Sequence, residues 1–260
     1  MSMPPPLKSN RVLQSLAEGR ICTGCWLFMG SPVVTEVLAD MPLEALIIDL
    51  EHSPSGLETA IEQLRAAAPF APTMLARVPG FDSDRIKPLL DAGVEGILAP
   101  NVESAEQVER LVDACRYPPL GRRGLHYTVS RAAAWGAHAG TYAAHADRNT
   151  LVAAMIESAR GVEAIPAMAA VQGLDLLFIG PLDLSASIGR PGEYDSPEFI
   201  ELWTEAERRC RESKIALGGT LLPGHGLAAL AARGYGFVTV GSDVTLLRQG
   251  ALQQLGGAGA

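Results

Sequence analysis

Residues 45–52 read Ala-Leu-Ile-Ile-Asp-Leu-Glu-His, a short apolar run that passes without a turn signal into carboxylates and an imidazole. An apolar stretch of this length, with no alternation, fits a strand covered on both faces, as in a parallel sheet. Runs of the same kind occur at 23–28, 73–78, 96–99, 151–157, 174–179, 215–220 and 236–241. Most of the gaps carry helical periodicity, over 55–68, 83–91, 104–115, 196–213 and 226–233. Eight strands alternating with helices predict an α/β chain of the (β/α)8 TIM-barrel class, and a doubly wound open sheet is the competing arrangement. No linker divides the chain, so one barrel domain is expected over 11–255, between loose tails at 1–10 and 256–260. The longest departure from the alternation, 116–149, is rich in Gly, Ala and Arg and is expected to lie over the top face.

The 260 residues are 48% hydrophobic and 19% charged, enough to bury a core and too apolar for a disordered chain. Twenty-one basic against 29 acidic residues leave a net charge of −8, which argues against a nucleic-acid or anionic-membrane surface. No apolar run reaches the roughly 18 residues of a membrane span. The first residues, MSMPPP, lack a basic-then-apolar signal pattern, and a cytoplasmic location is the expectation. Cys22 and Cys25 form a lone CxxC inside a strand, where a spacing of three puts the thiols on opposite faces. They are read as inert.

Active-site groups of a closed barrel sit at the carboxyl ends of its strands. Those ends hold Asp49, Glu51 and His52, then Arg77, Glu157, the segment Gly180-Pro181-Leu182-Asp183, and Asp243. Carboxylates converging with one His and one Arg describe a divalent-cation site with an anionic ligand. The three lysines, Lys8, Lys87 and Lys214, fall in the tail, in a helix and at the bottom face, so a Schiff-base nucleophile is not expected. Gly218-Gly219 and Gly241-Ser242 stand where many barrels hold phosphate. His225 is a candidate contact for the far end of a substrate, whereas His138 and His145 read as a solvated helix face. Arg122, Arg123 and Arg131 read as contacts to a partner subunit, with a distal substrate carboxylate as the second reading, and Trp26 and Trp135 as core or interface.

Five motifs in order then carry a resemblance: DLEHSP at 49–54, ARVP at 76–79, MIES at 155–158, FIGPLDLS at 178–185 and VGSD at 240–243. Together they resemble the HpcH/HpaI family of class II pyruvate aldolases from about Gly24 to Leu247. The resemblance implies a (β/α)8 barrel assembled as a homohexamer, with a C-terminal helix exchanged between subunits. It also implies reversible cleavage of 4-hydroxy-2-oxo acids to pyruvate and an aldehyde, with Mg²⁺, Mn²⁺ or Co²⁺ as cofactor. By matching positions, Glu157 and Asp183 resemble the metal ligands, with waters bridging to Asp49 and Glu51. Backbone amides around Gly180 to Asp183, including Pro181 and Leu182 in that segment, would hold the substrate carboxylate. Arg77 would face the keto oxygen, and His52 would accept the C4 hydroxyl proton.

Asp91 matches the acid that raises the basicity of this histidine, yet it ends a helix on the bottom side of its own barrel, so a neighbouring subunit would have to supply it. Met155 stands where many members have Gln, and its thioether cannot donate the corresponding hydrogen bond to the oxo acid. Related readings are a 2-dehydro-3-deoxy sugar-acid aldolase, a CoA-ester lyase of the citrate-lyase β type, and an inactive barrel serving as an assembly scaffold.

Overall fold

The computed structural model describes residues 6–257 and closes the barrel. Its strands are β1 (Cys22–Leu27), β2 (Ala45–Asp49), β3 (Thr73–Arg77), β4 (Gly96–Ala99), β5 (Leu151–Ile156), β6 (Leu176–Ile179), β7 (Ala216–Thr220) and β8 (Tyr235–Ser242). Each runs parallel to the next, and β8 pairs with β1, which removes the open-sheet alternative. The expected helices are present as α3 (Leu57–Ala67), α4 (Ser83–Ala92), α5 (Ala105–Cys115), α9 (Pro197–Glu212) and α10 (Leu227–Ala232). Beside them stand α1 (Arg11–Ala17), α2 (Pro32–Ala39), α6 (Tyr142–Asn149), α7 (Ala159–Ala169), α8 (Pro181–Ser187) and α11 (Asp243–Gly257). Helix α2 is built from the β-branched run PVVTEVLA, whose weak propensity hides it; Ser31 capping Val34 N–H and Pro32 in the first turn start it.

The alternation of side chains along each strand divides the core in two. Trp26, Ile47, Leu75, Leu98, Met155, Phe178 and Phe237 fill the barrel interior, while Leu27, Leu46, Ile48, Ile97, Ile156 and Ile179 pack outward against the helices. Cys22 falls in the first set and Cys25 in the second, as their spacing requires, and burial pushes both thiols up to about 12. Gly218 and Gly219 lie against aromatic rings: a Cβ would meet Phe178 at 3.0 Å and Tyr235 at 2.7 Å respectively. These glycines admit core aromatics. Asp243 is likewise committed to closure, because its carboxylate accepts the N–H groups of Phe28 (3.0 Å) and Met29 (2.9 Å) across the β8–β1 seam.

The segment 116–149 lies at the bottom of the barrel, not over the top as its length and composition suggested. Helix α5 runs antiparallel to the strands and delivers Arg116 to their amino-terminal ends. There its guanidinium donates to the carbonyls of Asp147 and Thr150, both at 2.8 Å, and to Asp175 Oδ2 at 3.0 Å. Arg122, Arg123 and Arg131 are engaged at the same end, with Asp113, Asp91 and the Ala92 carbonyl. Residues 8–10, expected within a loose tail, hydrogen-bond to the bottom face. Lys8 Nζ donates to the carbonyls of Ala68 (2.9 Å) and Phe70 (2.6 Å), and Asn10 Nδ2 to those of Glu95 and Asn149. Helix α11 continues through 256–257; the tail expectations for 1–5 and 258–260 lie outside the described residues.

Glu95 sits beneath β4 and accepts the Met74 N–H at 2.9 Å, yet burial pushes its carboxyl up to about 7 from an ordinary 4.5, against the opposing pull of that bond and of Lys8. The folded chain therefore binds this proton more tightly than the unfolded chain. The resulting stability is present below about pH 4.5 and is lost as pH rises through about 7. Glu95→Gln keeps the acceptor without the charge. Thermal denaturation is expected to show the variant close to the wild type at pH 5 and more stable at pH 8; parallel pH profiles would contradict this.

Candidate active site

The carboxyl end of β2 turns sharply, and Asp49 makes the turn. Its carboxylate, with no solvent exposure, accepts the N–H groups of Glu51 (3.3 Å) and His52 (3.0 Å), while Ser53 Oγ donates to its carbonyl. From the adjacent strand, Arg77 Nε donates to Asp49 Oδ1 at 2.6 Å, and Arg77 Nη1 stands 3.1 Å from Glu51 Oε2. Both Asp49 oxygens thus accept local N–H groups, Oδ1 from Arg77 and Glu51 and Oδ2 from His52. Glu51 Oε2 is buried without a properly aligned hydrogen bond and lies 3.6 Å from His52 Nε2. His52 projects outward, its side chain 62% exposed.

Across the rim, Glu157 follows β5 directly and is buried. Its Oε2 accepts the Asn101 N–H at 2.7 Å, and Asn101 holds a left-handed φ of 47° that an Asn tolerates. Burial, reinforced by Asp183 and Glu51, pushes the Glu157 carboxyl up to about 7, although the Asn101 N–H and Arg77 pull the other way. Asp183 is exposed in the first turn of α8, so β6 ends at Ile179 and the segment Gly180–Asp183 opens a helix instead of extending the strand. Gly180 lies against Glu157: a Cβ there would come within 2.5 Å of Oε1. Met155 points into the barrel interior on the same side as Glu157, buried among Trp26, Leu98 and Phe178.

Asp49, Glu51, His52, Arg77, Met155, Glu157, Gly180, Pro181, Leu182 and Asp183 therefore gather at one rim. Asp91 does not join them. It stands in the last turn of α4 at the opposite end of the barrel, where Arg123 donates to it at 2.6 Å. His225 packs edge-on against Trp203, with ring centroids 5.1 Å apart, and is committed there. Two contributors were missed. The Trp26 indole lies 4.8 Å from the Arg77 guanidinium carbon and donates through Nε1 to Thr239 Oγ1 at 3.0 Å, so a residue read as core or interface also forms the floor beneath the cation. Asn101 follows β4, which with β1 was one of two strands whose rims had been left empty; the ILAPN sequence was the available signal.

The residues at 22–250 match the model of the HpcH/HpaI aldolase/citrate lyase family. The chain belongs to that family. It is 37% identical over 245 residues to a hydroxypyruvate/pyruvate aldolase of Roseobacter denitrificans, covering 94% of each chain. A 2-keto-3-deoxy-L-rhamnonate aldolase of Salmonella gallinarum is 36% identical over 240 residues, which is 92% of this chain and 90% of the relative. Among solved structures, an HpcH/HpaI aldolase/citrate lyase family protein from Burkholderia cenocepacia superposes with a TM-score of 0.89 at 32% identity, covering 97% of this chain and 100% of that one.

Among the described residues, no group of three or more His, Cys, Asp or Glu side chains is arranged to enclose a metal ion. A hard cation that keeps several waters needs only one or two carboxylates, and the rim offers Glu157 and Asp183, with Glu51 nearby and the Glu157 carboxyl pushed up chiefly by burial. The donor chemistry fits Mg²⁺, Mn²⁺ or Co²⁺. Gly180→Ala leaves a backbone angle any residue adopts and displaces only Glu157. Mn²⁺ affinity measured by calorimetry is expected to fall about tenfold or more with little change in Tm; unchanged affinity would contradict a ligand role for Glu157.

Proposed function

We propose that this chain catalyses reversible aldol cleavage of 4-hydroxy-2-oxo acids to pyruvate and an aldehyde, with Glu157 and Asp183 holding a divalent cation. The observation that carries this reading is the anionic cluster of Glu157, Asp183 and Glu51 beside a single guanidinium fixed by Asp49. A bound cation supplies Lewis-acid stabilisation of negative charge on the substrate's keto oxygen. Arg77 presents its remaining donors to that oxygen, so charge developing there meets a partner already oriented. Asp49 positions Arg77 and the Glu51–His52 turn. The backbone segment Gly180–Asp183 faces the substrate carboxylate, and Met155 lines the apolar floor.

His52 accepts the C4 hydroxyl proton. The C3–C4 bond then breaks, the aldehyde leaves, and its electron pair passes into the C2 carbonyl as an enolate. Protonation at C3, matched by release of the proton that His52 took up, completes pyruvate. The exposed position of His52 is compatible with a base that meets its proton only when substrate is bound.

The reading includes a homo-oligomer, with the hexamer and exchanged helix of the sequence resemblance. Helix α11 carries Leu247, Leu252 and Leu255 exposed, and α2 presents Val33 and Val37 to solvent; both are apolar surfaces suited to a second copy. Asp91, at the bottom of its own barrel, would act on the partner's His52.

Two measurements test these points. Pyruvate release from a 4-hydroxy-2-oxo acid is expected to vanish with chelator and return with Mg²⁺, Mn²⁺ or Co²⁺, and His52→Ala is expected to lower turnover by about 10²- to 10⁴-fold. Undiminished turnover in chelator would overturn the metal requirement. Separately inactive His52→Ala and Asp91→Ala chains, dissociated and reassembled together, are expected to regain activity in sites that take one intact residue from each; no recovery would place both residues' effects within one chain.

A further inference from the structure

We propose that the cavity at the amino-terminal end of the barrel binds a small organic anion, a carboxylate carried on a planar or apolar body, independently of the rim. The cavity encloses about 530 Å³, within the range of small-molecule sites. Among the described residues, Lys8, Arg131, His138 and His145 line it against one acid, Glu95. In a chain of net charge −8 with three lysines and five histidines, one lysine and two histidines meet here with an arginine.

The two permanent cations are held in place by carbonyls at helix ends. Lys8 Nζ donates to Ala68 and Phe70; Arg131 Nη1 donates to Ala92 at 2.7 Å and Nη2 to Leu64 at 3.3 Å. These bonds account for two of three ammonium donors and two of five guanidinium donors. Burial lowers the pKa of both groups; at Lys8, Glu95 acts against it and Arg131 with it. Glu95, pushed up to about 7, offsets them incompletely.

The apolar half of the site has its own signature. Ala134, Trp135 and Gly136 are consecutive left-handed residues, with φ of 50°, 57° and 91°. A bulky indole rarely adopts this backbone, and the strain holds Trp135, 70% exposed, in the cavity lining alongside Tyr142 and Leu7. An aromatic side chain in a left-handed backbone that lines the same cavity as two oriented cations is suited to a planar carboxylate.

Thermal-shift titration can use benzoate as the probe, with benzyl alcohol as its neutral counterpart and inorganic phosphate as an anion lacking the apolar body. Benzoate is expected to raise Tm saturably, in the presence of saturating pyruvate, while the other two do not. Trp135→Gly relieves the left-handed backbone and is expected to raise Tm without ligand while weakening benzoate at least tenfold. Lys8→Met, at the edge of the fold, is expected to weaken benzoate to a similar degree. No saturable benzoate shift, or one of equal affinity in both variants, would overturn the proposal. So would a change in particle mass on Trp135→Gly with benzoate affinity intact, which would assign the indole to a contact between copies of the chain.

Discussion

The buried pair between Asp49 and Arg77 is the constraint on which the upper rim depends. Register places the two residues opposite each other at the ends of β2 and β3, and a 2.6 Å charge-assisted bond joins them. Removing one partner of such a pair leaves an uncompensated buried charge and costs about 3–5 kcal/mol. The same carboxylate accepts the two N–H groups that fold Glu51 and His52 back over the barrel mouth. One residue thus sets both the direction of the Arg77 guanidinium and the position of His52. Trp26 completes the arrangement from below, limiting the guanidinium to its outward donors.

The barrel separates its tasks by end. At the carboxyl ends of the strands, burial, reinforced by Asp183 and Glu51, pushes the Glu157 carboxyl up to about 7. At the amino-terminal ends, basic side chains take the carbonyls left over where α3, α4 and α6 finish, and tie residues 8–10 and 116–150 into one layer. Asp91 belongs to that second layer. The division explains why one chain holds all but one of the expected site residues together.

Much of this was legible in the sequence because the strands are continuous apolar runs whose ends carry the chemistry. Glu157, Asp183, Arg77 and His52 could be placed at the rim from strand position alone. Two kinds of feature escaped. Side chains that serve through packing, such as Trp26 under Arg77 and Gly180 against Glu157, have no local pattern that distinguishes them from core residues. Asp243 and Gly218-Gly219 show the reverse, since residues suited to a ligand serve barrel closure and the packing of aromatic neighbours. The insertion was misplaced because its composition says nothing of direction; the antiparallel course of α5 decides it, through Arg116.

A crystal structure of the protein with Mn²⁺ and pyruvate, phased to reveal anomalous scattering, would examine the shared cation itself. The expected result is one peak at the rim, about 2.1 Å from a carboxylate oxygen of Glu157 and from one of Asp183, with the oxo acid facing Arg77. A fully loaded crystal whose only peaks lie away from those two oxygens would contradict it.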